Sequence, residues 1–294
     1  MFIYKLSLLL GEGFIFGILA MGVYISFQWL RFPDLTPDGS FVAGACGYSL
    51  LTLWGISPIV AICITFIFGA SIGCVTAALN RFIKVPSIVA GLLVSAAMYS
   101  LNWLLLGKPN QFLDPKFTLI GNVVGLTWAI YLLLWLTFIG IVLVLFLVIF
   151  SNTLWGLRLR AIGENSLLAH DLHVSETGYI FGGLALSNGI VALAGALFSQ
   201  RSFSVDINMG IGVTITGLAG MVLGLLIVQG RRNMVLVCLS VLLGALLHKA
   251  VIFICLEAGV PGETFRLLTA FTLILVFFFA KASTAQILRG LRWT

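Results

Sequence analysis

LWGLRLRAIGENSLLAHDLHVSET, residues Leu154 to Thr177, is the stretch that decides how this chain is organised. It is the longest polar interval in an otherwise apolar sequence, and it lies between two runs long enough to span a bilayer. Gly163 interrupts it, and Asn165 or Ser166 can cap a helix that follows. Three leucines then recur on one face of that helix: Leu167, Leu168 and Leu172. The stretch predicts a short amphipathic helix at the membrane surface, and a linker with a chance apolar stripe is the alternative.

Composition places the chain among membrane proteins. Hydrophobic residues make up 61% of its 294 residues and charged residues only 9%, whereas soluble domains carry about 25% charged residues. The other polar windows, such as Gly107 to Lys116, are only loop-sized. We therefore expect a single transmembrane domain over residues 1–294, surrounded by membrane lipids. The net charge of +6 does not indicate nucleic-acid binding, because the basic residues are scattered at the ends of apolar segments.

Nine apolar runs follow one another along the chain, and each is a candidate membrane pass. They are Gly11 to Leu30, Ser40 to Trp54, Ile56 to Leu79, Pro86 to Leu106, Leu126 to Phe150, Gly178 to Phe198, Met209 to Val228, Met234 to Leu256 and Phe265 to Ala280. A helix needs about 20 apolar residues to cross, so the second run is either a full span or a half-helix of a broken span. The expected fold class is an all-α polytopic membrane protein with about nine segments, some of them discontinuous.

The basic residues indicate the orientation of these passes. If Leu154 to Thr177 is cytoplasmic, ten lysines and arginines fall inside and five outside, and Lys249 lies within a span. Cytoplasmic loops of membrane proteins carry such an excess of basic residues. Because the number of passes is odd, the N-terminus is then expected outside and the C-terminus in the cytoplasm.

The segment from Arg31 to Ser40 breaks the helical pattern, because Pro33, Pro37 and Gly39 stop a helix there. Irregular backbone at membrane depth is tolerated where it is buried in protein or lines a water-filled cavity. We therefore expect a broken helix beside a translocation path. Its polar residues are candidates for a gate: Asp34, Thr36, Asp38 and Ser40. The alternative is an ordinary cytoplasmic turn in which Asp38 caps the following helix.

A second broken segment is expected around Asp206, Asn208 and Gly212, where an acidic turn precedes a series of glycines. We interpret it as a gate or a wall of the same path, and close helix packing through small residues is the alternative. Two stretches also match each other at four of seven positions, FGILAMG from Phe16 and FGGLALS from Phe181. Because they cross in opposite directions in the expected topology, they indicate an inverted repeat.

Reactive constellations are absent from the sequence. It contains no P-loop motif and no H-E-x-x-H metalloprotease motif, and its five cysteines lack the spacing of a metal site. We therefore expect no catalytic residues, no metal and no cofactor. His248 and Lys249 lie in an apolar run, where an ion pair of Lys249 with Glu257 is one interpretation and snorkelling to the surface another.

The opening stretch resembles the cytoplasmic coupling segment of ABC importer permeases, in the family that includes the ribose and branched-chain amino-acid permeases. The family pattern is met by Gly156, Arg160, Ala161, Gly163, Asn165 and Ala169. The turn from Asp34 to Ser40 is similar to the D-L-[ST]-x-(x)-G-S turn of that family, although it is one residue longer than the ribose-permease form. Leu193 to Gly224 and Gly259 to Leu275 resemble a branch that includes tryptophan or tyrosine importers.

The resemblance implies the permease subunit of a bacterial ABC importer, which works by alternating access in the inner membrane and carries an amino acid or similar nutrient. It implies an ABC ATPase subunit, an extracytoplasmic solute-binding protein and a second copy of the chain as partners. Residues 152–176 form the implied cytoplasmic coupling segment, with ATPase-coupling residues Gly156, Arg158, Arg160, Gly163, Glu164, Asn165, Leu168 and Asp171. The alternative is a secondary transporter driven by an ion gradient, with Lys249 or the aspartates as coupling groups.

Overall fold

The computed structural model describes residues 2–121, 126–164, 175–228, 233–261 and 264–283. This part of the chain is built almost entirely from helices, which confirms the expected all-α membrane class. The helices are α1 (Phe2–Tyr24), α2 (Pro37–Leu53), α3 (Pro58–Arg81), α4 (Ser87–Leu106), α5 (Leu126–Asn152), α6 (Leu154–Glu164), α7 (Glu176–Ser202), α8 (Val213–Val228), α9 (Met234–Glu257) and α10 (Phe265–Ser283).

Seven segments of the described chain are long and apolar enough to cross a membrane. They are α1 with its extension to Trp29, α3, α4, α5, α7, α8 with the turn before it, and α9. The other two predicted segments form the shorter apolar stretches of α2 and α10. Helix α2 has 17 residues and is therefore about 25 Å long, which is less than the hydrocarbon thickness of about 30 Å. The count of nine passes stays a prediction.

Contacts divide the chain into two compact units. The first unit comprises residues 22–128 and 153–214 and holds α2, α3, α4, α6 and α7. The second unit comprises residues up to 21, 129–152 and from 215 on, and holds α9, α10 and most of α1, α5 and α8.

Protein rather than lipid surrounds α2, which explains how so short a helix fits. Most of its residues are buried, and it packs against α3, α4 and α7 within the first unit. A side chain at Gly44 of α2 would collide with the Ala192 carbonyl of α7, and one at Gly195 of α7 would collide with the Phe41 carbonyl of α2. Small residues allow two helix backbones to approach this closely.

A two-stranded antiparallel sheet adds a short non-helical element to the first unit. Strand β1 (Asn110–Phe112) pairs with β2 (Ser204–Asp206), so the loop after α4 is joined to the loop after α7. The Tyr48 hydroxyl of α2 also donates a hydrogen bond to the Phe117 carbonyl at 2.5 Å. Strands of three residues are too short to show an alternating hydrophobic pattern, so the sequence did not indicate them.

Two ion pairs connect α1 to α9 in the second unit. Lys5 lies 2.8 Å from Glu257, and Lys249 lies 2.9 Å from Glu12. The Lys249 ammonium also lies 3.4 Å from the centre of the Phe16 ring. The interpretation that pairs Lys249 with Glu257 is therefore wrong, because each residue has a partner on the neighbouring helix. Charges within membrane spans are usually paired in this way.

The small residues of α8 serve helix packing in the second unit. A side chain at Gly220 would meet Ala245 of α9, and a side chain at Gly224 would collide with the backbone at Ser240. Close helix packing was the alternative interpretation of the glycines after Asp206. It applies to Gly220 and Gly224.

Candidate functional site

The first candidate segment begins where α1 ends. Its last turn widens into a π-helix at Ile25–Trp29, and Arg31 then adopts a left-handed backbone with φ of +49°. The chain continues without helix until Pro37 starts α2. Proline is well placed at the first position of a helix, because its missing N–H has no intrahelical acceptor there. The break predicted in this segment is therefore present.

Asp34 is the centre of a buried polar network at this break. Its carboxylate is fully buried and accepts hydrogen bonds from the backbone N–H of Thr36 at 2.9 Å and from the Thr36 hydroxyl. The Asn188 amide donates to Asp34 Oδ2 at 2.8 Å, and the Ser40 hydroxyl donates to Asn188 Oδ1 at 2.7 Å. The hydroxyls of Thr36 and Thr76 lie 2.8 Å apart. Three of the four residues predicted in this segment thus meet.

Three residues of this network escaped the sequence analysis. Asn188 lies in the middle of α7, Thr76 lies in α3, and Gly91 of α4 leaves room for the Asp34 carboxylate and the Leu35 backbone. A signal was available for Asn188, because a buried amide inside an apolar run needs hydrogen-bond partners. All the polar members are buried, so the network holds the break in shape in this conformation.

Asp38 lies in α2 but forms its side-chain hydrogen bonds with the start of α8. Its carboxylate accepts hydrogen bonds from the N–H of Gly212 at 3.1 Å and from the N–H of Thr214 at 2.8 Å, and from the Thr214 hydroxyl at 2.6 Å. Asp38 therefore caps the N-terminus of α8, where negative charge is favourable. The alternative in which Asp38 caps α2 is wrong, because α2 begins before it at Pro37.

Among the residues predicted in the second candidate segment, Gly212 forms a hydrogen bond with the first segment. Gly212 has φ of +82°, a conformation that glycine adopts without strain, and its N–H reaches Asp38. Asp206 instead accepts a hydrogen bond from the N–H of Asn208 at 2.6 Å and starts the 3₁₀ turn Ile207–Gly210. Asp206 and Asn208 thus shape the turn that leads to α8.

The predicted coupling segment starts with α6, which has two distinct faces. Its buried face consists of Gly156, Leu159 and Ile162, whereas Arg158 and Glu164 are exposed. The Arg158 guanidinium donates a hydrogen bond to the Tyr179 hydroxyl of α7 at 3.3 Å, and the rings of Trp155 and Tyr179 have centroids 4.7 Å apart. The predicted helix from Asn165 to Val174, with Asn165, Leu168 and Asp171, lies outside the described residues.

Gly163 has a role different from the expected one. It lies within the last turn of α6 rather than in a turn between two helices. A side chain at this position would collide with the Trp29 carbonyl at the end of the π-helix. The missing side chain therefore lets α6 rest on the backbone immediately before the first break, and Gly163 does not interrupt the helix as expected from the sequence.

The arrangement offers hydrogen bonding and two partly exposed carboxylates, those of Asp38 and Asp206. In the described part of the chain, no three His, Cys, Asp or Glu side chains lie together so that they could hold a metal ion. The side chains of Asp34 and Ser40 are hydrogen-bonded to Asn188 and buried, whereas Asp38 is partly exposed.

Known proteins match nearly the whole chain. Residues 6–277 match the family described as the branched-chain amino acid transport system permease component. A tyrosine transport system permease protein of Clostridioides difficile (strain R20291) is 31% identical over 263 residues, which cover 90% of this chain and 87% of the relative. The inner membrane ABC transporter permease protein YjfF of Escherichia coli K12 is 24% identical over 193 residues, which cover 62% and 56%.

A solved structure supports the same fold. It is an ABC transporter described as of the metal-chelate type, in an inward-facing conformation. The superposition has a TM-score of 0.52 and covers 95% of this chain and 87% of the other, at 20% sequence identity. At that identity the likeness concerns the fold alone.

Proposed function

We propose, from the premise that this chain belongs to the branched-chain amino-acid transport system permease family, that it forms the membrane path of an ATP-driven importer for an amino acid. An amino acid is the favoured solute because the relative that matches 90% of the chain is named for tyrosine transport. ATP hydrolysis belongs to a separate ABC ATPase subunit, since the sequence carries no P-loop. The bacterial inner membrane is the expected location.

The contact between α6 and the end of α1 is the observation that carries this proposal. Gly163 lies directly against the Trp29 carbonyl, and Trp29 is only a few residues before Asp34. Close-packed backbone transmits displacement rather than absorbing it. A force applied to α6 from the cytoplasm therefore reaches the first break without an intervening element.

The proposed mechanism is alternating access. Closure of two ATPase subunits moves the coupling segment, residues 152–176, and α6 passes the movement to the break that holds Asp34. The exposed charges of Arg158 and Glu164, with Arg160, Asn165, Leu168 and Asp171, form the docking face. A second copy of the chain completes the path, and a solute-binding protein delivers the amino acid from outside. Such a cycle shifts the population between two conformations.

Glu164→Arg tests the docking face. Glu164 is exposed at the end of α6, so the reversal leaves insertion intact and opposes whatever basic group the ATPase presents. We expect about tenfold lower recovery of the ATPase, the effect of losing roughly 1.4 kcal/mol. The tagged full chain is purified from membranes of its own cells, the co-purified ATPase is quantified, and amino-acid uptake is measured in reconstituted vesicles.

Lys108→Glu is the matched control, because Lys108 is exposed in the loop after α4, on the side predicted to face outward. It should leave ATPase recovery unchanged. Normal recovery and normal uptake with Glu164→Arg would contradict the docking face. Uptake that needs no ATPase and follows a proton or sodium gradient would favour the secondary transporter.

A further inference from the structure

An ion pair joins the end of the coupling segment to α3. Glu176 is the last residue of that segment and the first residue of α7, and its Oε2 lies 2.8 Å from Nη2 of Arg81, the last residue of α3. The Arg81 and Glu176 side chains are only 29% and 26% exposed, so salt screens the pair less than it screens a fully exposed one. The neighbouring Phe82 ring packs against Phe181 of α7 with centroids 5.8 Å apart. The two helix ends are thus joined by charge and by aromatic packing.

From this end, α3 and α7 run antiparallel with their backbones in close contact. A side chain at Gly73 of α3 would collide with the Leu184 carbonyl of α7, and a side chain at Gly69 would collide with the Asn188 carbonyl. Each step of four residues along α3 is matched by a step of four residues along α7, so the register is the same at both contacts. Packing of this kind leaves little freedom for one helix to slide along the other.

The same two helices carry residues of the Asp34 network. Asn188 of α7 donates to Asp34 Oδ2 at 2.8 Å, and the Thr76 hydroxyl of α3 lies 2.8 Å from the hydroxyl of Thr36, which bonds to Asp34. Asn188 is twelve residues after Glu176, which is about 18 Å along the helix. Movement of the joined ends of α3 and α7 therefore displaces the groups that surround Asp34.

We propose that the Arg81–Glu176 ion pair positions the end of the coupling segment and transmits its movement to the Asp34 network through α3 and α7. The contact of α6 with the Trp29 carbonyl attaches the first half of the segment, and the ion pair attaches its other end. Displacement by the ATPase then moves both helices together and is not lost as separation of α7 from α3. The inference rests on the proposed function, because it requires an ATPase that moves the segment.

Glu176→Arg tests the ion pair by placing two like charges together. The chain is reconstituted in vesicles with its ATPase and its solute-binding protein, and the amino acid taken up per ATP hydrolysed is measured. We expect this ratio to fall about fivefold, which corresponds to a loss of about 1 kcal/mol. Loss of stability alone would lower uptake and hydrolysis together and leave the ratio unchanged.

The double variant Arg81→Glu with Glu176→Arg restores the attraction with the charges exchanged. It should regain part of the uptake per ATP. Recovery should be incomplete, because the native polarity places the acidic residue at the start of α7 and the basic residue at the end of α3, where the helix dipoles favour them.

Hydrogen exchange at the Thr36 amide is a second readout that needs no ATPase. This N–H donates to Asp34 Oδ1 at 2.9 Å, so it reports on the network directly. In lipid nanodiscs, exchange measured by mass spectrometry should rise about fivefold in Glu176→Arg and return towards its original rate in the double variant.

Glu257→Lys is the control variant. Glu257 lies 2.8 Å from Lys5 and joins α9 to α1 in the second unit, so this reversal breaks an ion pair of the same length that does not involve α3 or α7. It should change neither the uptake per ATP nor the exchange at Thr36.

The two readouts separate the inference from the proposed function. Unchanged exchange at Thr36 or unchanged uptake per ATP in Glu176→Arg would overturn the inference. Effects that persist in full in the double variant would also overturn it, since they would not depend on the pair. Faster exchange in Glu176→Arg, combined with no ATP-driven uptake by the unaltered complex, would contradict the proposed function but support the connection between the ion pair and the network.

Discussion

Single buried side chains connect segments that are far apart in the sequence. Asn188 of α7 is fully buried. Its amide nitrogen donates a hydrogen bond to Asp34, which lies in the loop before α2, and its amide oxygen accepts one from Ser40 of α2. Its amide offers a donor and an acceptor on one planar group, so one residue of α7 satisfies both partners. The shape of the first break therefore depends on a residue that lies in another helix.

Asn188→Leu tests this dependence. It leaves Asp34 Oδ2 and the Ser40 hydroxyl without their partner, and orphaned buried polar groups cost about 1–3 kcal/mol each, so the free energy of unfolding should fall by about 2–5 kcal/mol. The thermal unfolding midpoint of the purified permease, followed by tryptophan fluorescence, measures the loss.

Ser187→Ala, at the neighbouring position, is the control for Asn188→Leu and should have a smaller effect. Ser187 is also buried and donates one neutral hydrogen bond to the Gly22 carbonyl at 2.7 Å, so its removal should cost only about 1 kcal/mol. Equal midpoint shifts for the two variants would show that Asn188 does not organise the break.

A residue of α2 stabilises the first turn of helix α8. The N–H groups at the start of a helix lack intrahelical acceptors, and Asp38 accepts from two of them at Gly212 and Thr214. Most helices are capped by a residue immediately before them. Here the cap comes from the other broken segment, so the position of α2 contributes to the stability of the start of α8.

Asp38→Leu should therefore loosen the first turn of α8 and impair uptake while the protein stays inserted. Loss of a cap costs about 0.5–2 kcal/mol, so amide hydrogen exchange around Gly212 to Thr214 should rise by about twofold to thirtyfold. Exchange measured by mass spectrometry on the chain in nanodiscs, together with uptake in vesicles, tests both expectations.

Asp114→Leu is the matched control for the cap. Asp114 accepts a hydrogen bond from the N–H of Lys116 at 3.0 Å, and this bond caps a 3₁₀ turn of only three residues. Its loss should leave exchange at the start of α8 unchanged. If Asp38→Leu also leaves exchange and uptake at their original values, Asp38 is no more than a surface carboxylate.

Orientation in the membrane is the property of the whole molecule on which the mechanism depends. The ten-to-five distribution of basic residues predicts α6 and the C-terminus in the cytoplasm. The proposed docking of an ATPase on α6 requires that side.

Cysteine labelling decides the orientation. Leu154 is 73% exposed at the start of α6, and Lys108 is exposed in the loop after α4. In a variant without native cysteines, a membrane-impermeant maleimide added to intact cells should label Lys108→Cys at once. Leu154→Cys should react only after permeabilisation. Labelling of Leu154→Cys in intact cells would reverse the topology and remove the basis of the docking face.

The class of fold, the family and the location of the breaks could be predicted from the amino-acid sequence. Apolar length defines a membrane helix, and a proline cannot continue a helix that precedes it, so Pro33 and Pro37 indicate where α1 has ended and α2 can begin. Both are local properties that a linear pattern carries. The same local reasoning found Asp34, Thr36 and Ser40, because polar residues next to a break must satisfy the exposed backbone or each other.

The packing of the helices shows which residues contact one another. Asn188 completes the Asp34 network, Asp38 caps α8, Gly163 admits the Trp29 carbonyl and Lys249 pairs with Glu12. Each of these contacts joins two helices, and the relative rotation and depth of packed helices follow from the summed fit of many side chains. No spacing along the chain encodes that fit, so the partners of the polar residues became known only when the helices were packed.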